Sequence, residues 1–438
     1  MPDGQMNIPT PASKNAGGSL EERWLRIIPT AFVMYTIAYI DRTNISMALP
    51  AMSRELHMTP TQAGDAAGIF FWGYLLLQIP GGYIAERWSA KRLVSALLVA
   101  WGICSVGCAF VHTAREFRAM RFLLGVTEGG VWPATLVLLA HWFPRAERAR
   151  ANAYWMLCQP AAVILSGPLS GWILTHWDWR VLLASEGAMP FVWLAIWWRF
   201  IDDHPHEAGW ISAPERGHLE STLLRESAEL APVSSEPILR TLGRPKVLLL
   251  AAVYILQCSG GYGYLFWLPS ALKSIGHRSD QLVGFLFAVP YLVTAVGMVL
   301  ISRHSDRTGE RRLHVSVPLA WAGVLLLAAV LASGRWAALS FICICLVGVG
   351  IYGMLAPFWA ILPESFPPTV AGPAMGLINA IGGLGGYFGP LAIGYISQRA
   401  GSIYYAFGAL SAALIASSAL MLLYPSRLMA KVSGNLPN

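Results

Sequence analysis

Charged residues are scarce in this 438-residue chain: Asp, Glu, Lys and Arg make up 13% of it, about half the share carried by soluble domains. So little charge excludes a string of soluble domains, and what there is gathers between long apolar runs. Cysteine is scarce too. The six (104, 108, 158, 258, 343 and 345) lie inside apolar runs, where a thiol behaves as a small hydrophobe, so neither disulfides nor a metal site is expected. The polar N-terminus lacks the short apolar core and small-residue cleavage site of a removable signal peptide. A net charge of +7 without a basic patch interleaved by aromatics gives no nucleic-acid partner. Nucleophile elbows, zinc motifs and phosphate loops are missing. "GVGIYG" (348–353) spells G-x-G-x-x-G but lies inside an apolar run with no strand before it, which removes a dinucleotide reading. "NIS" (44–46) matches a glycosylation acceptor but is buried in the first apolar run. His204 and His206 read as a solvated His-Pro-His. The chain is expected to be no enzyme and to hold no cofactor.

What the chain has in quantity is hydrophobic length. Hydrophobic residues reach 55% and the mean hydropathy is positive. A run of about 20 apolar residues crosses a bilayer as a helix. Twelve such runs are read at 25–49, 62–85, 92–112, 117–141, 151–175, 180–201, 247–272, 280–303, 314–333, 336–361, 370–398 and 402–424. The fold class is therefore an all-α membrane protein of twelve transmembrane helices in two six-helix bundles. The bundles occupy 25–201 and 246–424, with tails at 1–24 and 425–438 and a hydrophilic central loop at 202–245. That loop is expected to hold one short amphipathic helix.

Basic residues follow the even-numbered spans. Arg87, Lys91 and Arg92 come after the second, Arg145, Arg148 and Arg150 after the fourth, Arg303, Arg307, Arg311 and Arg312 after the eighth, and four arginines lie in the central loop. Basic excess marks the cytoplasmic side, so both termini are expected there. The loop after the tenth span is the exception, with Glu364 and no Lys or Arg.

The two halves repeat. "GGYIAERWSAKR" aligns with "ISRHSDRTGERR", placing Glu86-Arg87 on Asp306-Arg307 at an offset of 220, and Phe143-Pro144 aligns with Phe366-Pro367 at 223. Both copies fall on one side of the membrane. They are parallel repeats, an arrangement that in transporters places a midplane site between the halves.

These features resemble the major facilitator superfamily: two six-helix halves, a long central loop, and acidic-Arg-x-x-x-basic-basic loops after spans two and eight. "IDRTNI", "QIPGGYIAERW", "RFLLGVTEGGVWP" and "WFPRAERARA" are similar to its anion:cation symporter family, which includes permeases for sugar acids, phthalate, tartrate and hydroxyphenylacetate. Glu86 and Ser89 stand where the superfamily usually has Asp and Gly. The charge is kept, and with it the gating contact expected of Glu86, Arg87 and Lys91, and of Asp306, Arg307 and Arg311.

Ionisable residues inside spans are costly and usually serve function. Asp41 and Arg42 in the first span and Arg121 and Glu128 in the fourth stand out. Arg121 and Glu128, seven apart, share a helix face at about 10 Å, so each needs other partners or a water-filled cavity. The bland alternative is structural ion pairing between helices. A guanidinium offers a fork matching a carboxylate, so Arg42 reads as ligand to a substrate anion. Asp41, between burial and an adjacent cation, reads as proton carrier or gate. The resemblance implies that Glu128 is the second protonation site, that Arg121 controls it, and that Arg121, Tyr74, Gln159, Trp359 and Asn379 join Arg42 in binding substrate. For Tyr74 and Trp359 the competing role is ordinary packing; for the two amides it is a structural hydrogen bond. The glycines at 382–389 and Gly125 and Gly129 read as close-packing surfaces.

The expected function is proton-coupled import of a small organic carboxylate by alternating access across a bacterial inner membrane, by a monomer whose partners are the anion, protons and the lipid bilayer. A uniporter or anion exchanger of the same fold is the alternative; a transporter-like sensor or intramembrane enzyme is more remote.

Overall fold

The computed structural model describes residues 22–229, 240, 243–274, 279–333, 335–366 and 368–425. The expected tails and the part of the central loop at 230–239 fall wholly or largely outside the described residues. Twelve long helices follow one another: α1 (Glu22–Glu55), α2 (Pro60–Arg87), α3 (Ala90–Phe110), α4 (Ala114–Trp142), α5 (Arg145–His176), α6 (Trp179–Phe200), α7 (Pro245–Ser274), α8 (Asp280–Thr308), α9 (Arg312–Ala332), α10 (Ala337–Ser365), α11 (Pro368–Ala400) and α12 (Ile403–Leu422). Among the described residues, 11 helices are long and apolar enough to cross a membrane. The remaining member of the twelve, α1, spans 34 residues and is diluted at mid-length by Asp41, Arg42, Thr43 and Asn44. The central loop contributes the helix Ala213–Glu229.

Helix starts carry side-chain caps. Thr59, Thr113, Asp178, Ser279 and Ser402 each accept from a backbone N–H of the first turn, which satisfies a donor the helix leaves free. Ser89 does the same for α3, and its hydroxyl also donates to Asp203, whose other oxygen accepts from Lys91 N at 2.8 Å. That double duty gives this position a local use for serine where the superfamily favours glycine.

Three spans break at a position their prolines dictate. Pro133, Pro160 and Pro357 lack the N–H that would bond residues 129, 156 and 353, and the helical segments end at Gly129, Met156 and Gly353. The α4 and α10 breaks fall at equivalent repeat positions. The α4 break lies one residue beyond Glu128, and the α5 break lies two before Gln159. An interruption in α2 at Ile69 has no proline to account for it.

The faces of the bundle follow from end-to-end contacts. Arg26 at the start of α1 donates to the carbonyls of Arg199 and Phe200 at the end of α6, and Arg312 at the start of α9 to Tyr424 O. This is the face of the basic loops. At the other face Glu55 ends α1 against Arg180 at 2.7 Å.

The halves close-pack on that other face. A Cβ on Gly167 of α5 would stand 2.5 Å from Gly284 O of α8, and one on Gly171 would stand 2.7 Å from Asp280 O. α2 meets α11 the same way, Gly394 lying on Pro60 O, with Tyr387 donating to Asp65 Oδ1 at 2.9 Å and Asp65 held by Arg118 at 2.7 Å. At the basic face Lys91 pairs with Asp202 of the central loop at 3.2 Å and Arg311 with Glu364 of its own half at 2.9 Å. The molecule is sealed opposite its basic loops.

Candidate functional site

A cavity of about 130 Å³ lies between the halves, bounded by α1, α2, α4 and α5 on one side and by α7 and α11 on the other. Its floor, toward the sealed face, is the Phe71–Tyr262 ring pair, centroids 4.4 Å apart. Arg42, Tyr74, Gln159 and Asn379, four of the six residues expected to bind substrate, line it. Tyr35, Tyr39, Trp132 and Tyr254 supply much of the remaining wall.

Arg42 is the cation of that lining. Its guanidinium donates to Glu128 Oε2 at 3.0 Å and lies 4.6 Å from the Tyr74 ring centroid, a cation–π contact that favours the charge in a dry site. Both partners of the ion pair are buried, 4% and 1% exposed. Arg42 Nε and Glu128 Oε1 have no hydrogen-bond partner, so the pair is incompletely satisfied at the cavity wall. α4 can bring its carboxylate this close because Gly125 and Gly129 meet the backbone of α2 at Phe70 and Tyr74, where a side chain would collide.

Arg121 and Trp359 stand behind the wall. Arg121 is buried, with Nε and Nη2 unpartnered, and is separated from Arg42 by Phe70: the two guanidiniums lie 5.0 and 5.1 Å from its ring centroid. Trp359 packs edge-on against Tyr254 at 5.0 Å.

One expectation needs correction. Asp41 and Arg42 adjoin in sequence but do not form a working pair. Successive helix positions point about 100° apart, and the two side chains leave α1 in different directions. Arg42 faces the cavity, while Asp41 faces the interior of the first half. There its carboxyl accepts from Trp101 Nε1 at 2.7 Å, from Asn44 Nδ2 at 3.2 Å and from Ser105 Oγ. Its polar partners are neutral donors.

The residues expected to gate lie at the basic face. Glu86 faces His141 at 3.7 Å, the Arg87 guanidinium stacks over Tyr83 at 4.5 Å, and Lys91 holds Asp202. Arg307 ends α8 exposed. Arg311 bonds Asp306 at 2.7 Å and Glu364 at 2.9 Å. Burial opposes its charge, but these two bonds more than offset that and hold Arg311 above its ordinary pKa. The acidic exception after the tenth span thus serves as Arg311's partner.

Two site features escaped the sequence reading. Phe70 gave no signal beyond being apolar. Glu186 did: it is an acid inside the apolar run of α6, fully buried at 0% exposure.

A bundle of two matched six-helix halves around a central cavity is the architecture of a membrane transporter. The family described as the Major Facilitator Superfamily matches residues 31–390, and the chain belongs to it; it is a transporter and not an enzyme. A "Putative tartrate transporter" of Agrobacterium vitis is 36% identical over 422 residues, covering 92% of this chain and 93% of the relative. The "Probable galactarate/D-glucarate transporter GudP" of Escherichia coli (strain K12) is 28% identical, covering 88% and 90%. In fold the chain is similar to the inward-open xylose transporter XylE from E. coli, with a TM-score of 0.75 at 14% identity over 92% of this chain and 97% of that one.

Proposed function

We propose that the protein imports a small organic carboxylate together with protons, by alternating access, across a bacterial inner membrane with both termini in the cytoplasm. The observation that carries the reading is the Arg42–Glu128 pair: a buried guanidinium at the wall of the inter-half cavity is held by an internal carboxylate. Relatives described as tartrate and galactarate/D-glucarate transporters support an organic anion. The basic loops support the orientation.

The pair supplies a coupling device. With Glu128 ionised, Arg42 is occupied. A proton arriving on Glu128 cancels its charge and frees the fork, which then takes the substrate carboxylate. In the reverse order, loss of the proton restores the internal pair and expels the anion. Substrate and proton thus travel together because each makes room for the other. Tyr74, Gln159 and Asn379 contact the body of the substrate, and Arg121 biases Glu128 through Phe70. Asp41 is the second proton site. The halves 25–201 and 246–424 rock about the cavity, the Glu86–Lys91 and Asp306–Arg311 loops steadying one state. In reconstituted vesicles, an inwardly directed proton gradient drives uptake of labelled tartrate or glucarate above its equilibrium level. Uptake that stops at equal concentrations, whatever the gradient, indicates a uniporter or exchanger.

A further inference from the structure

The polar interior of the first half holds more than the coupling device uses. Glu186 on α6 sits at 0% exposure, accepting from Ser170 Oγ of α5 at 3.0 Å through Oε1, while Oε2 has no partner. From α1, Asn44 donates to Asp41 Oδ1 at 3.2 Å. The Oδ1 of this amide is unpartnered as well. From α3, Ser105 holds Asp41 and packs on Gly187, where a Cβ would stand 2.6 Å from its hydroxyl. The titratable neighbour of Glu186 is Asp41, which in turn has Arg121 as its nearby cation; among the described residues no Lys, Arg or His bonds to Glu186, whose Oε1 accepts from Ser170 and whose Oε2 has no partner.

A carboxylate buried without a cation costs far more than its neutral acid, and two nearby carboxylates resist being ionised together. Both orphaned oxygens here, Glu186 Oε2 and Asn44 Oδ1, accept only; a proton on either carboxyl supplies a donor that this cluster lacks. Hydroxyls extend the cluster from α5 to α1: Ser170 to Ser166 at 3.5 Å and Thr43 to Ser166 at 3.3 Å. A purely structural Glu186 leaves the unpaired oxygens and this chain of hydroxyls without a purpose.

We propose that Glu186 is a third proton-binding carboxyl of this transporter, coupled to Asp41 within the same buried cluster, so that the first half carries one proton more than Asp41 and Glu128 alone account for. The proton binds a Glu186 oxygen in the loaded state and leaves from it in the empty one, no other bond changing. The inference rests on the proton-coupled reading for its role in transport, but not for the chemistry of the carboxyl.

Two measurements separate these. Infrared difference spectra of the purified full chain between acidic and alkaline buffer, with no substrate present, count the carboxyls that change protonation. Glu186→Gln loses one titrating carboxyl, and Asp41→Asn shifts the one that Glu186 contributes. Spectra of Glu186→Gln that superimpose on those of the wild type overturn the proposal. Should Glu186→Gln fail to fold, Glu186→Asp and Ser170→Ala serve: each moves that band, and a band unmoved in both overturns it. In vesicles with tartrate as the probe, each coupled proton multiplies the limiting accumulation about tenfold per unit of pH gradient. At a gradient of one pH unit Glu186→Gln therefore accumulates about tenfold less than wild type. Equal accumulation in the two overturns the transport role. A wild type that shows no pH-driven accumulation sinks the proton-coupled reading and with it the transport role of Glu186, leaving the infrared count to judge the carboxyl.

Discussion

Arg42 donates to Glu128 Oε2 at 3.0 Å, so the side chain proposed to recognise an incoming carboxylate already holds one of the protein's own. Internal competition of this kind turns a binding site into a coupled one. The surroundings favour the cation of that pair: the Tyr74 and Phe70 ring centroids lie 4.6 and 5.1 Å from the Arg42 guanidinium and stabilise its charge, and α4 breaks one residue beyond Glu128.

Arg42→Ala is expected to abolish substrate binding. It also leaves Glu128 buried without its cation, a loss of about 3–5 kcal/mol for breaking a buried pair from one side. Arg42→Ala combined with Glu128→Gln is therefore expected to recover most of the lost thermal stability and none of the binding. Arg42→Lys rescues little, because a point charge does not reproduce the fork. A ligand-induced shift of the melting temperature reports binding and the unliganded melting temperature reports stability; a wild-type ligand shift in Arg42→Ala rules out this assignment.

The sealed face offers a second test. Tyr387 of the second half donates to Asp65 of the first at 2.9 Å, and Arg118 fixes the same carboxylate. Tyr387→Phe removes one hydrogen bond between the halves and leaves the ring. A hydrogen bond to a charged group is worth about 1.5–3 kcal/mol, so the change shifts the balance of states roughly tenfold or more toward opening at this face. Cysteines placed in the cavity wall should then label faster from that side. Unchanged labelling would show that the glycine contacts of α5 with α8 and α2 with α11 hold the face shut alone.

At the basic face, Asp306→Asn frees Arg311 from one of its two carboxylates, and Glu86→Gln leaves His141 without its acid. Both are expected to shift the inward–outward balance while leaving affinity at the cavity within a few-fold of wild type. Cysteine accessibility from each side, paired with a binding isotherm, checks it. A large loss of affinity with unchanged accessibility would place these residues in the site itself.

Much of this molecule was legible in its sequence because a bilayer restricts the options. Apolar length marks the spans, the repeat offset pairs the halves, and a charge inside a span must face the interior. Arg42 was readable as a cavity residue for that reason, whereas Tyr74, Gln159 and Asn379 followed from the family resemblance. Direction around a helix was harder to read. Asp41 and Arg42 look like a pair as neighbours in sequence, yet one step along α1 sends them to different surroundings. Trp359 and Arg121 came to lie one layer behind the wall for the same reason: a few tens of degrees of helix rotation decide between lining and backing. Glu186 was missed although its signal was of the same kind as that of Glu128, an acid within an apolar run. The α6 sequence shows it between Ser185 and Gly187, and Arg180, six positions before it, lies at the helix start rather than inside the apolar run.

The last prediction concerns coupling itself. Glu128→Gln places a neutral side chain where the reading requires a proton to come and go. Such a protein behaves as though permanently loaded: Arg42 is always free, the anion binds at every pH, and exchange of labelled for unlabelled anion across the membrane continues. Accumulation against a gradient fails, because nothing at position 128 releases a proton at the cytoplasmic face to reclaim Arg42. Asp41→Asn is expected to impair driven uptake differently, since Asp41 contacts Trp101, Ser105 and Asn44 and leaves the Arg42 fork untouched; substrate affinity should stay near the wild-type value while pH-driven uptake falls. Counterflow and pH-driven uptake measured in the same vesicles separate the two variants. Intact pH-driven accumulation by Glu128→Gln would mean that the proton travels by another route and that the Arg42–Glu128 bond only holds α1 to α4.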